Sequence, residues 1–207
     1  MRSIYSQKII AKVVFAFIMV FYCCCSFAQG YKLHGKIKGV GDGWAFVRHR
    51  QTGKTDSCQI QAGHFFLSGS LTKPEFCTFG FSANGIKDYF LSFFLEKGEF
   101  NMTASKDSLN DISITFTGSP VENEFQDFQR QVSRVNRRRY QEARAEKELA
   151  QLARRYALKH PGSYVSAFAL ASYENNLAEL SGLYGRLASE IQRSYYGQLI
   201  NNKISHH

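Results

Sequence analysis

Outside its first 28 residues, this 207-residue chain offers two cysteines, Cys58 and Cys77, as its most chemically capable side chains. In an oxidising compartment such a pair could close one disulfide. As two unpaired thiols in facing strands they would serve equally well as small hydrophobes. The spacing leaves both readings open. No Cys-x-x-Cys occurs, so dithiol exchange of the thioredoxin type has no motif here. His34, His49, His64, His160, His206 and His207 show neither His-x-x-x-His spacing nor a cysteine at short metal-ligand spacing, and no metal site is expected. A Gly-x-Ser-x-Gly elbow is absent, which removes the usual serine hydrolase arrangement. Glu122 and Glu124 fall at a helix start, where they complement the dipole. No catalytic, cofactor-binding or metal-binding residue is assigned.

The address comes from the first 28 residues. Arg2, Lys8 and Lys12 precede an uncharged apolar run from Val13 to Cys25, and Ser26-Phe27-Ala28 supplies small residues for cleavage before Gln29. The apolar run is shorter than the roughly 18 residues of a spanning helix, so a cleaved signal peptide (1–28) is favoured and no integral span is expected after cleavage. Tyr22 before Cys23 spoils a lipoprotein signal. The net charge of +9 falls to +6 once the three basic leader residues are set aside. Much of the excess lies in Arg130, Arg134, Arg137, Arg138, Arg139, Arg144, Arg154 and Arg155, interleaved with Glu142, Glu146 and Glu148. That mixture reads as a solvated, salt-bridged helix face and not as a nucleic-acid surface.

The elements that must position the cysteines are strands. From Tyr31 to Gly118 short apolar runs alternate with turn signals: Gly39-Val40-Gly41-Asp42-Gly43, Gln51-Thr52-Gly53-Lys54, Ala62-Gly63, Asn84-Gly85 and Lys97-Gly98. The first reads as a hairpin turn; no helix pattern and no Lys-Ser/Thr pair follows it, so it is not a phosphate loop. Phe65-Phe66-Leu67 suggests a strand covered on both faces. Asp88 to Glu96, apolar all round, is expected at the centre of a sheet. At Gly118-Ser119-Pro120 the period changes: Val121, Phe125, Phe128, Val132 and Val135 form a helical stripe behind a Ser119 cap. Its phase runs on through a polar middle, Asn136 to Glu148, that should project from the core until Leu149, Leu152 and Tyr156 restore the stripe. Ser163 caps a second helix, Leu177 to Leu187 forms a third, and a last one runs from Glu190 towards Ile200. The fold class is therefore α+β: an antiparallel β-sandwich or open barrel over 29–118, then a small helical bundle over 119–207.

The order of these pieces resembles a known family. Gly35 to Gly43, Asp56-Ser57, Gly63-His64-Phe65-Phe66-Leu67-Ser68-Gly69, Phe94-Leu95-Glu96-Lys97-Gly98 and Phe116-Thr117-Gly118-Ser119 before a helix resemble domain-of-unknown-function family 4369. That domain precedes a thioredoxin-like domain in exported thiol:disulfide interchange and peroxiredoxin-like proteins. The helical half resembles the family's linker region, through Pro161-Gly162-Ser163-Tyr164-Val165, Leu183-Tyr184-Gly185-Arg186-Leu187 and Ser194-Tyr195-Tyr196-Gly197. The resemblance implies the periplasm or cell envelope of a Gram-negative bacterium. It also implies an accessory or binding role, without a cofactor, beside a thioredoxin-like envelope protein. The sequence reaches His207 without the family's Cys-x-x-Cys, so no catalytic residue is carried over. The alternatives are a truncated or split N-terminal part of an oxidoreductase, and a module binding an apolar ligand.

Overall fold

The computed structural model describes residues 30–83, 86–106, 112–137 and 142–206. The leader, the Asn84-Gly85 turn, Arg138, Arg139 and His207 lie outside the described residues. Eight strands come first: β1 (Gly30–Lys38), β2 (Gly43–His49), β3 (Thr55–Ile60), β4 (His64–Ser70), β5 (Glu75–Ala83), β6 (Ile86–Leu95), β7 (Gly98–Lys106) and β8 (Ile112–Thr117). They form two four-stranded sheets, ordered β4-β1-β7-β8 and β3-β2-β5-β6. All neighbours run antiparallel except β1 and β7, which pair in parallel from Tyr31↔Gly98 to Lys38↔Ser105. A parallel pair needs a long crossover, and β2 to β6 provide it.

Alternation decides which side chains enter the sandwich. Leu33 and Ile37 of β1, Phe100 and Met102 of β7, Ala45 and Val47 of β2, and Cys77, Phe79 and Phe81 of β5 are all buried in one core. That requirement corrects the reading of the glycine-rich segment 39–43. It joins β1 of the first sheet to β2 of the second, turning a corner so that both strands face inward, and is not a hairpin. Ala62-Gly63 turns a second corner, with φ of 49° and 76°. Phe65 and Leu67 point inward while Phe66 is exposed, so β4 is covered on one face only.

Among the described residues six helices follow: α1 (Pro120–Arg137), α2 (Glu142–Lys159), α3 (Tyr164–Tyr173), α4 (Leu177–Tyr184), α5 (Ser189–Gln192) and α6 (Tyr195–Ser205). Ser119 caps α1 as expected, its Oγ accepting from Glu122 N at 3.2 Å. The first helix is described to Arg137 and the second from Glu142, so the centre of the expected polar middle lies outside the described residues. α2 packs back along α1, with the Tyr156 ring 4.9 Å from that of Phe128 and the Tyr156 hydroxyl donating to Glu124 Oε1 at 2.7 Å. A break in phase lets Ala145, Leu149, Leu152 and Tyr156 form a second buried stripe. Ser163 caps α3 through Val165 N at 3.0 Å. The last segment is split in two, because Ser194 ends α5 by donating to Ile191 O and starts α6 by accepting from Gly197 N.

The helices build a second core against the outer face of the second sheet. Phe76 and Phe94, cross-strand partners on β5 and β6, meet Phe125 and Phe168 in a cluster of tilted and edge-to-face rings with centroids 5.0–6.2 Å apart. This explains why β6 is apolar all round although it is an edge strand of its sheet. Phe93 and Leu95 face the sandwich, and Phe94 faces the helices.

Candidate functional site

The register brings a polar group into the end of the sandwich core. His49 is the last residue of β2, and alternation turns its ring inward opposite Cys77 of β5. Glu75, two residues before Cys77, lies on the same face. His49 Nδ1 is 3.1 Å from Glu75 Oε2 and 3.8 Å from Cys77 Sγ, and Nε2 is 3.2 Å from Asp56 Oδ2 on β3. Tyr31 donates to the same Asp56 oxygen at 2.8 Å, and Lys54 Nζ reaches the other oxygen at 2.8 Å. Gln51 N donates to Glu75 Oε1 at 3.0 Å. His49 is 3% exposed, Glu75 8% and Cys77 0%.

Electrostatics follow from these contacts. The Glu75 hydrogen bond is the main influence holding the His49 imidazole above its ordinary range, against burial and with help from Asp56. Burial opposes the charge on Asp56, yet hydrogen bonds from Lys54, Tyr31 and His49 together hold its carboxyl below the usual range. Burial, then the neighbouring Glu75 and Asp56 carboxylates, pushes the Cys77 thiol far up, and burial also raises Cys58. Neither sulfur has the character of an activated thiolate. A cavity of about 430 Å³, lined by Gln51, Lys54, Thr72 and Lys73 among others, reaches His49 and Glu75 from solvent.

The outer face of the second sheet presents a different surface. Phe46, Gly80 and Phe90 lie in one cross-strand row. The two rings meet edge to face at 5.9 Å above the glycine, where a Cβ would come 2.3 Å from the Phe46 ring. Trp44, the chain's single tryptophan, is 55% exposed and Phe90 59%. The helices cover the Phe76–Phe94 row and leave this one open. Arg48, Thr55 and Thr78 border it around a concavity of about 500 Å³.

The two cysteines singled out by sequence are both free. Cys58 pairs with Ala45 and Cys77 with His49, which sets them on opposite flanks of β2 and four residues apart along it. Strand spacings of about 4.8 Å and a rise of about 3.3 Å per residue put their Cα atoms on the order of 16 Å apart. A disulfide requires less than about 7 Å, so this register accommodates unpaired thiols and not a bond. His34 and His64 lie on the outer face of the first sheet, beside a concavity of about 720 Å³. His160 stacks on Tyr156 at 4.8 Å. Glu122 does more than complement a dipole: it is fully buried, and its Oε2 accepts from Phe94 N at 2.7 Å. The cluster around His49 is not legible in the sequence because Glu75 and Cys77 stand 26 and 28 residues from the histidine they meet. Its only sequence signal was a polar residue at an inward strand position.

No curated protein matches the chain. Among solved structures it is similar to CBM25-1 of the beta/alpha-amylase from Paenibacillus polymyxa, at 18% identity and a TM-score of 0.27, over 44% of this chain and 94% of that one. It is also similar to the pilus adhesin RrgA from Streptococcus pneumoniae, at 18% identity and a TM-score of 0.25, over 46% of this chain and 11% of that one. Neither likeness bears on function. Residues 31–125, from β1 into α1, match the model of the family described as domain of unknown function DUF4369.

Proposed function

We propose that the chain is an exported accessory domain of an envelope thiol-redox system, non-catalytic by itself, which binds a thioredoxin-like protein through the open aromatic face of its second sheet. The carrying observation is that face: Trp44 and Phe90 stand more than half exposed beside Phe46, a grouping of apolar rings with a polar border of the kind that marks interaction sites. The thiols fit the same reading. Cys77 is sealed in the core, Cys58 is half-buried, and burial raises both, so exchange chemistry has to come from the partner. The sequence resemblance to domains that precede thioredoxin-like domains supports this choice of partner. Among the described residues, no helix is long and apolar enough to cross a membrane.

An insulin-reduction assay tests the division of labour. The chain alone should not accelerate reduction by dithiothreitol. Turnover that disappears in Cys58→Ser or Cys77→Ser would refute the proposal.

A further inference from the structure

We propose that His49, Glu75 and Cys77 bind a divalent transition metal ion, zinc suiting their donor set best, at the floor of the cavity beside β2. The three donor atoms lie within 4.8 Å of one another. A tetrahedral zinc with bonds of about 2.1 Å to nitrogen and oxygen and 2.3 Å to sulfur places its ligands about 3.4 Å (N to O) and 3.6 Å (N to S) apart. The observed separations are 3.1 Å for Nδ1 to Oε2 and 3.8 Å for Nδ1 to Sγ. Both separations from Nδ1 are within a few tenths of an ångström of those values, and the remaining oxygen–sulfur separation lies within 4.8 Å.

Two of the three ligands, His49 and Glu75, also have an outer partner, a feature that separates a metal site from a chance cluster. Asp56 Oδ2 faces His49 Nε2 and would keep the ring's one proton there in the loaded site, where the ion replaces the proton that Nδ1 shares with Glu75. Tyr31 and Lys54 hold Asp56 in turn. Gln51 N occupies Glu75 Oε1 and leaves Oε2 for the ion. A carboxylate and a thiolate neutralise a divalent charge, while the charge of Asp56 is offset by Lys54, so the loaded site carries no buried excess. Three protein ligands with a solvent-filled cavity of about 430 Å³ alongside leave room for a water as the fourth. The underlying pattern is Glu-x-Cys on one strand, with a histidine opposite the cysteine on the next.

Cobalt(II) is the probe, because a thiolate ligand gives it a near-ultraviolet charge-transfer band. The metal-free chain carrying Cys23→Ser, Cys24→Ser, Cys25→Ser and Cys58→Ser keeps Cys77 as its only thiol. It should bind one cobalt with that band, and zinc should displace it. His49→Gln in the same background should weaken binding at least tenfold, and Asp56→Asn by about 10–100-fold. A chain of unchanged circular dichroism that shows no band at saturating cobalt overturns the proposal, as does equal affinity in His49→Gln. Should the multiple substitution unfold the chain, melting of the unsubstituted chain decides: zinc should raise its Tm by several degrees but leave that of His49→Gln unchanged, and the absence of any shift overturns the site.

Discussion

Glu122→Gln should make the protein more stable at pH 8 and leave it unchanged at pH 4.5. Glu122 is buried in the first turn of α1, where Phe94 N donates to one carboxyl oxygen and Gln126 Nε2 to the other at 2.5 Å. Burial outweighs these donors and pushes the carboxyl from 4.5 up to about 7. A carboxyl raised in the folded state favours folding while protonated. Its contribution is therefore complete below pH 4.5, falls as the unfolded chain begins to release its proton, and is gone once the pH passes about 7. A shift of 2.5 units at 1.36 kcal/mol each gives a ceiling of about 3 kcal/mol. Glutamine keeps an acceptor for Phe94 N, and the amide of Gln126 can rotate to accept from it, so the variant loses the titration and keeps the contacts. Urea unfolding followed by far-ultraviolet circular dichroism at pH 4.5 and pH 8 measures the difference, in which all other titrations cancel. The variant should gain up to about 3 kcal/mol between the two pH values. A gap that stays constant would show that burial does not shift the carboxyl, and one that favours the parent at pH 8 would show that the shift has the opposite sign.

Other perturbations separate close packing from ordinary surface. Gly35→Ala places a Cβ 1.9 Å from the Phe65 ring and should cost about 1–3 kcal/mol. Gly41→Ala, with nothing within 4 Å, should change stability by no more than about 0.5 kcal/mol, and thermal melts compare the two. Arg154→Met strands the buried Glu174 carboxylate, which accepts from Arg154 Nε and, at 3.1 Å, from its Nη2. Because the arginine is itself partly exposed, the loss should be about 2 kcal/mol, less than for a fully buried pair, and urea titration at pH 7 measures it. Iodoacetamide should leave Cys77 unmodified in the folded chain and label it only in denaturant, as peptide mass mapping can read out.

The strands and helix caps were legible because their signals are local. Ser119 and Ser163 act through neighbours two or three residues away, and Cys77, Phe79, Phe81 and Ala83 of β5 enter the sandwich at every second position. Partnership between sheets was not legible. A glycine-rich turn looks alike whether it closes a hairpin or turns a sandwich corner, and only the demand for two facing apolar surfaces tells them apart at 39–43. β6 misled for a related reason: Phe90 and Phe94 share an outer face, but only Phe94 is covered by helices. The group around His49 depends on three strands arriving in register, and the sequence of any one of them carries no trace of the others.

Calorimetric titration of a thioredoxin-like envelope protein into the chain, repeated with Trp44→Ser and Phe90→Ser, tests the central claim most directly. A binding face centred on these rings predicts saturable one-to-one association that the double substitution weakens at least tenfold, since removing a buried aromatic anchor costs about 2 kcal/mol or more. Association of equal strength in the double variant, or none with the parent chain, would contradict it.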